Sequence, residues 1–348
     1  MADRSRVIFA NEIADADYRA ACASKEGFIK RFGDDSQAVY HLAVSNLPVI
    51  GERLGVKNLV MAPEGTGSLS FDESAGKPVV VGNIRMGFGH YRIAMAMASA
   101  AHSMGYTPYW FDLSSFPETT CSKLIGYQND LYSLGSRLSQ KIPPFNALYW
   151  EPLNSEGFRK LAYNASDQKK AELMVPLFRD LPKDVPYIAT HVWPAQAAVH
   201  AGLTHVVNAI PDNWPMALHL AEGSVHAVQT PSAYLGYKQL RGMDPKRALK
   251  PMPDGAVRYT GHYIDHELVA NIATDCAARR ARAEHGGPVR WLITVGGAGA
   301  QAKLFSAIIE KLIPYVVCGE ATLFINVGDH EKVWKRLCAS VKGLAPLA

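Results

Sequence analysis

The sequence predicts an α/β fold built as two lobes with parallel sheets, the second lobe opening late in the chain. Three observations predict it. Val79-Val80-Val81 runs into the glycine turn Gly82-Asn83-Ile84-Arg85-Met86-Gly87-Phe88-Gly89-His90 and an alanine-rich segment ending at Gly105. Trp291–Val295 repeats the device, running into Gly296-Gly297-Ala298-Gly299-Ala300. Between the two turns, short apolar runs recur, each followed by a turn or a helix start, as parallel sheets require. Strand, glycine turn and helix in that order are the Rossmann-like unit, and open α/β sheets bind ligands beyond the carboxyl ends of their strands. The pair of turns suggests two Rossmann-like halves facing one cleft.

Taken in order, Val7-Ile8-Phe9 reads as a short strand, Ser36–Leu47 as a helix ending before Pro48, and Pro63–Ser68 as a loop by its turn residues. The helix after the first turn is expected from His90 to Met104. Ile93, Met97, Ala101 and Met104 share one face, and Gly105 stands where a C-terminal cap belongs. Thr107–Phe111 is the next strand, with Asp112 at its carboxyl end. Residues 113–182 break the rhythm as a helical insertion: a helix over Glu118–Gln140, the aromatic run Phe145-Asn146-Ala147-Leu148-Tyr149-Trp150, and a helix over Ser155–Arg179. Strands resume at Tyr187–Thr190, His205–Ile210, Val225–Gln229 and Val257–Thr260. Val269–Arg282 reads as a linking helix. Val289–Val295 opens a new βα unit, whose helix carries Leu304, Phe305, Ile308, Ile309 and Leu312 on one face, and Thr322–Val327 follows as a strand. The expected boundary therefore divides an N-terminal lobe, 1–268, from the start of a C-terminal lobe, 269–348. Residues 289–348 are fewer than the roughly 100–150 that such a lobe takes, so it is expected to be incomplete.

Composition removes several classes of function. The 348 residues carry 36 basic and 32 acidic side chains, a formal charge of +4, with no basic stripe interleaved with aromatics, which argues against nucleic acid. The five cysteines are scattered without a C-x-x-C pair, and the twelve histidines show no H-E-x-x-H spacing, so neither a disulfide scaffold nor a metal site is expected. Acidic Asp3, Glu12, Asp15 and Asp17 stand where a signal peptide needs an apolar core, and no uncharged apolar run reaches about 18 residues. The chain reads as cytoplasmic.

The candidate site residues follow from the strand ends. Gly87 and Gly89 let a substrate approach the backbone, and His90 at the helix start is a candidate base, because a helix N-terminus disfavours the imidazolium. The same spacing also serves a purely structural turn. The Lys-Ser/Thr of a Walker loop is missing. His191 follows one later strand and Asp212 and Trp214 follow the next, so all three fall on the edge that carries His90, where they suit a polar or sugar ligand; singly, each also suits capping or packing. Gly297-x-Gly299-x-x-Ala302 fits the dinucleotide pattern and opens a second reading, a nicotinamide-dependent oxidoreductase. No acid stands about 20 residues further on at a strand end, which suits a diphosphate-sugar nucleotide better.

These turns together resemble the GT-B glycosyltransferases, in particular the monogalactosyldiacylglycerol synthase and peptidoglycan N-acetylglucosaminyltransferase group. The resemblance rests on Gly87-Phe88-Gly89-His90, Ile210-Pro211-Asp212, Gly261-His262-Tyr263-Ile264, Gly296-Gly297-Ala298-Gly299 and Asn326-Val327-Gly328-Asp329, over roughly Val79–Val333. It implies a GT-B-like fold and a nucleotide-diphosphate sugar, a UDP-sugar, as donor substrate with no cofactor or metal required. It implies a hydroxyl acceptor of lipid or glycan type and a peripheral membrane contact. His90 is then the general base or an acceptor-site residue, and the candidates beside it are Gly87, Gly89, His191, Asp212 and Trp214 at the acceptor and Gly296, Gly297, Gly299 and Gln301 at the donor. The turn here has fewer glycines than the family's, and the family's later donor-binding motifs are missing. A non-catalytic sugar-nucleotide-binding protein of the same fold is the third reading.

Overall fold

The computed structural model describes residues 3–72, 74, 76–296, 301–328 and 330–348. The chain divides into two compact units, Met1–His266 and Glu267–Ala348.

The first unit runs β1 (Val7–Ile8), β2 (Asn11–Glu12), α1 (Asp15–Phe32), β3 (Leu42–Asn46), α2 (Ile50–Leu54), β4 (Lys57–Met61), β5 (Lys77–Asn83), α3 (Phe88–Ser103), β6 (Tyr106–Asp112) and α4 (Thr120–Lys141). It continues through α5 (Pro143–Phe145), α6 (Leu161–Glu172), β7 (Tyr187–Ala189), α7 (Val192–His200), β8 (Val206–Ala209), β9 (Val225–Val228), α8 (Pro231–Lys238) and β10 (Val257–Tyr259). β1 and β2 pair with each other. The other strands form one eight-stranded sheet in the order β10-β9-β8-β7-β5-β6-β4-β3, parallel throughout except for β3 against β4.

Alternation along the strands separates the two faces of this sheet. Val80, Tyr109 and Phe111 pack into one core with Leu124, Ile125 and α7 residues. Their neighbours Val81 and Trp110 pack with Ala94 and Ala98 of α3 in another. The chain leaves β5 toward β6 through α3 and later returns to β5's other side as β7. The order therefore reverses between β5 and β7, the switch point at which doubly wound sheets open a crevice. Gly82, the last paired residue of this join, is dictated by packing: a Cβ there would overlap the Tyr187 side chain of β7.

The second unit contains α9 (His266–Ala270, begun by the last residue of the first unit), α10 (Ile272–Glu284), β11 (Val289–Thr294), α11 (Ala302–Val317), β12 (Ala321–Asn326) and α12 (Glu331–Ser340). β11 and β12 form a small parallel sheet, and Ile293, Ile309, Leu337, Val341 and Leu344 make its core.

The fold corrects several expected elements. Ser36–Leu47 is not a helix: the Leu42 N–H donates to the buried Asp180 carboxylate at 2.8 Å, and Leu42–Asn46 pairs antiparallel with β4. Ser155–Arg179 is helical in an α sense only over Leu161–Glu172. The Leu161 N–H is bonded to the Met243 carbonyl at 2.9 Å, and Pro176 supports only a 3₁₀ turn, Val175–Phe178. Val269–Arg282 is broken at Asn271. The helix expected to start at His90 starts at Phe88, with Gly87 as its cap at φ +81°, so His90 stands two residues further inside the first turn, at its third position.

Candidate functional site

The switch point opens into a cavity of about 630 Å³ whose described lining residues all belong to the first unit. That volume falls within the roughly 300–1,000 Å³ of small-molecule sites. Its floor comes from the carboxyl ends of the central strands: His90 after β5, His191 after β7, and Asp212 and His219 after β8. Its walls come from the helical insertion. Gln128, Leu131, Tyr132, Gly135 and Leu138 line it from α4 at spacings of three and four, one stripe of the helix. Beside it, in contact with α4, a second wall is a continuous helical stretch, 143–157, that widens into π turns at Asn146–Trp150 and Leu153–Gly157. Such turns cluster at functional sites, and these present Tyr149, Trp150, Leu153 and Asn154 to the cavity. Gly135 is required by this wall, since a Cβ would overlap the Trp150 ring.

The two floor histidines have complementary edges. His90 Nδ1 lies 2.6 Å from the Thr190 carbonyl, which only accepts, so Nδ1 carries the proton. In the neutral ring Nε2 is then a bare acceptor, with no hydrogen-bond partner among the described residues. His191 caps α7, its Nδ1 accepting the Trp193 N–H at 3.2 Å, so the neutral ring carries its proton on Nε2. The two rings stand edge to face with centroids 4.8 Å apart. Burial is the largest cause holding the His90 pKa below the ordinary histidine value, opposed by the Thr190 carbonyl and reinforced by His219. Burial and the neighbouring His90 and His219 hold His191 well below it. The floor thus offers one nitrogen that accepts a proton beside one that donates.

Asp212 is the only Asp, Glu, Lys or Arg among the lining residues, and its carboxylate is 55% exposed. His219 Nε2 approaches it at 3.1 Å, and this hydrogen bond is the leading cause holding the Asp212 carboxyl below the usual carboxylate range. Beneath the cavity wall a buried Lys170–Asp167 pair closes at 2.9 Å, the ammonium 5.8 Å from the Trp193 ring centre.

The cavity therefore brings together His90, His191 and Asp212 from the sequence-predicted residues. Gly87 and Gly89 are exposed at the start of α3 and do not line it. The Trp214 ring is exposed and sits under the Arg159 guanidinium at 5.2 Å. In the second unit, Gly296 is exposed and Gln301 starts α11 at φ +65°. Gly297 and Gly299 lie outside the described residues. His219 was missed by sequence reasoning. It sits in a short 3₁₀ turn, Ala217–His219, with no motif, and only the nearby Asp212 and the polar strand residue Asn208 hint at it. No group of three or more His, Cys, Asp or Glu side chains among the described residues is arranged to hold a metal ion. No helix among them is long and apolar enough to cross a membrane.

Residues 7–239 match the family described as Domain of unknown function (DUF6937), and the chain belongs to that family. Residues 252–348 match a second domain of unknown function (DUF6938). No curated protein and no solved structure matches the chain.

Proposed function

We propose that this chain is a GT-B-like sugar transferase whose first unit holds a hydroxyl-bearing acceptor in the switch-point cavity. The single observation that carries the reading is the His90 geometry: its Nδ1–H is committed to Thr190, leaving Nε2 as a bare nitrogen at the floor of an apolar cavity. Burial keeps that ring neutral, the state a general base needs. In the proposed step His90 Nε2 takes the acceptor's proton as its oxygen bonds to the anomeric carbon of the sugar. The bond from that carbon to the diphosphate breaks, and the diphosphate leaves with the electron pair. His191 Nε2–H and the Asp212 carboxylate hold the acceptor's other polar atoms.

The lining favours the acceptor over the donor. A diphosphate calls for Lys, Arg or clustered N–H groups, and this cavity offers one carboxylate and no Lys or Arg. The nucleotide-sugar is assigned instead to the glycine-rich segment of the sequence that carries Gly296, Gly297, Gly299 and Gln301, with no metal required. Aromatic and aliphatic walls suit an acceptor with an apolar body. Ile142, Leu148 and Tyr149 stand exposed on the same insertion and suit contact with a lipid surface.

The test is turnover of a panel of UDP- and other nucleotide-diphosphate sugars with neutral hydroxylated amphiphiles such as n-octyl β-glucoside. His90→Ala is expected to lower the transfer rate by about 10²- to 10⁴-fold. Equal rates in the two proteins would remove His90 from the mechanism. A second reading, binding without turnover, is supported by the same lining, which offers a carboxylate and no Lys or Arg to a diphosphate. Saturable amphiphile binding with no product over long incubation would select it.

A further inference from the structure

The turn that carries His219 is held from several directions by buried carboxamides. Asn164 Nδ2 of α6 donates to the Ala217 carbonyl at 2.7 Å and the Leu220 carbonyl at 2.8 Å. Gln196 Nε2 of α7 donates to the Leu220 carbonyl at 2.8 Å, and Asn208 Nδ2 of β8 to the His219 carbonyl at 2.7 Å. The Asn164 and Gln196 side-chain oxygens are left buried without partners. A turn needed only to connect two strands does not call for this outlay of buried polar groups.

What the turn positions is a line of hydrogen bonds. His219 Nε2 lies 3.1 Å from Asp212 Oδ2, and His219 Nδ1 lies 2.7 Å from Tyr237 Oη. Tyr237 Oη in turn lies 3.2 Å from the Trp214 carbonyl. Because a carboxylate only accepts, Nε2 carries a proton. With a neutral ring, the Tyr237 hydroxyl donates to Nδ1. With an imidazolium, Nδ1–H donates to Tyr237 Oη and the hydroxyl turns to the Trp214 carbonyl. Either state leaves each member of the line paired.

We propose that Asp212, His219 and Tyr237 form a strut that keeps the cavity's one carboxylate ionised and aimed, whichever protonation state His219 adopts. Asp212 is thereby the anchor for a ligand hydroxyl, and His219 and Tyr237 are positioning residues. The ligand's role rests on the reading of the cavity as an acceptor site; the strut itself does not. The other titratable groups facing His219 are His90 of α3, His191 at the start of α7, Asp167 of α6 and His226 of β9.

The experiment is carboxyl-¹³C and imidazole-¹⁵N NMR of the full chain without ligand, so that failure of sugar transfer leaves its outcome intact. In the unsubstituted protein His219 shows the Nε2–H form, and the Asp212 carboxyl titrates below the usual aspartate range. His219→Phe raises the Asp212 midpoint by about 1 pH unit or more. Should that variant not fold, Asp212→Asn and Tyr237→Phe serve at opposite ends of the line: each shifts the His219 ring nitrogen it faces. A bare Nε2 on His219, or an Asp212 midpoint unmoved in His219→Phe, overturns the strut. If the strut stands, n-octyl β-glucoside titrated into the same samples tests the anchor: Asp212→Asn is expected to weaken binding about tenfold, and unchanged affinity would reject Asp212 as the hydroxyl anchor.

Discussion

Lowering the pH from 7 to 5 should weaken the first unit through histidines that the fold keeps neutral. His226 is fully buried, its Nδ1–H donating to the Ala256 carbonyl at 3.0 Å and its Nε2 accepting the Ala221 N–H at 2.9 Å. A second proton would have to displace that N–H, and burial lowers the pKa to about 4 from 6.5. His200 is lowered to about 4 as well, chiefly by burial. Both folded values lie below the unfolded one, so the unfolded chain binds protons first. The stabilisation is complete above about pH 6.5 and is lost as pH falls toward 4. Each group favours the unfolded chain by about 2 kcal/mol at pH 5 and about 0.2 kcal/mol at pH 7, so the pair removes about 3.6 kcal/mol across that interval. The assay is urea unfolding at the two pH values, followed by fluorescence, with buried Trp110 and Trp193 reporting on the first unit. His226→Gln keeps one donor and one acceptor but cannot titrate. It should reduce the pH-dependent loss by about 1.8 kcal/mol whatever its effect at pH 7. The same loss in variant and parent would refute the reasoning. The Ala221 N–H that His226 accepts ends the segment carrying His219, so acid stability and the cavity floor share a support.

Gly82→Ala should destabilise by about 1–3 kcal/mol in thermal unfolding, because its Cβ has no room beside the Tyr187 ring and hydroxyl. Adding Tyr187→Phe recovers part of the loss. A neutral Gly82→Ala would mean that β5 and β7 are not so closely joined. At Gly135 two effects oppose: alanine gains about 1 kcal/mol of helix propensity, while overlap with Trp150 costs about 1–3 kcal/mol. Overlap wins, so Gly135→Ala is expected to lose stability and to weaken n-octyl β-glucoside binding; a stabilised variant that binds normally would contradict the wall as described.

Much of the central sheet was legible because its signals are local. The β-branched run at Val79–Val81, Gly87 at positive φ and the alanine-rich helix identify one βα unit without any distant partner, and the strands from Tyr187 to Val257 read the same way. β3 and β4 were not legible. Ala38, Val39, Leu42, Ala43 and Leu47 fall near helical spacing, and only the antiparallel partner β4 and the Asp180 carboxylate, more than a hundred residues away, decide for a strand. His90, His191 and Asp212 were readable because each follows a strand end. His219 was not, because its importance comes from Tyr237, Asn164, Gln196 and Asn208, which only the fold gathers. The aromatic run 145–150 is plain in the sequence as part of the helical insertion, but its π turns, which make it a cavity wall, leave no periodic trace there.

The most direct measurement of the central claim is ¹⁵N NMR of the His90 ring across pH 5 to 8. A base prepared by the Thr190 carbonyl and by burial shows a proton on Nδ1, a bare Nε2, and a neutral ring persisting below pH 6.5. A proton found on Nε2 instead, or a ring already charged at pH 7, would contradict the role given to His90.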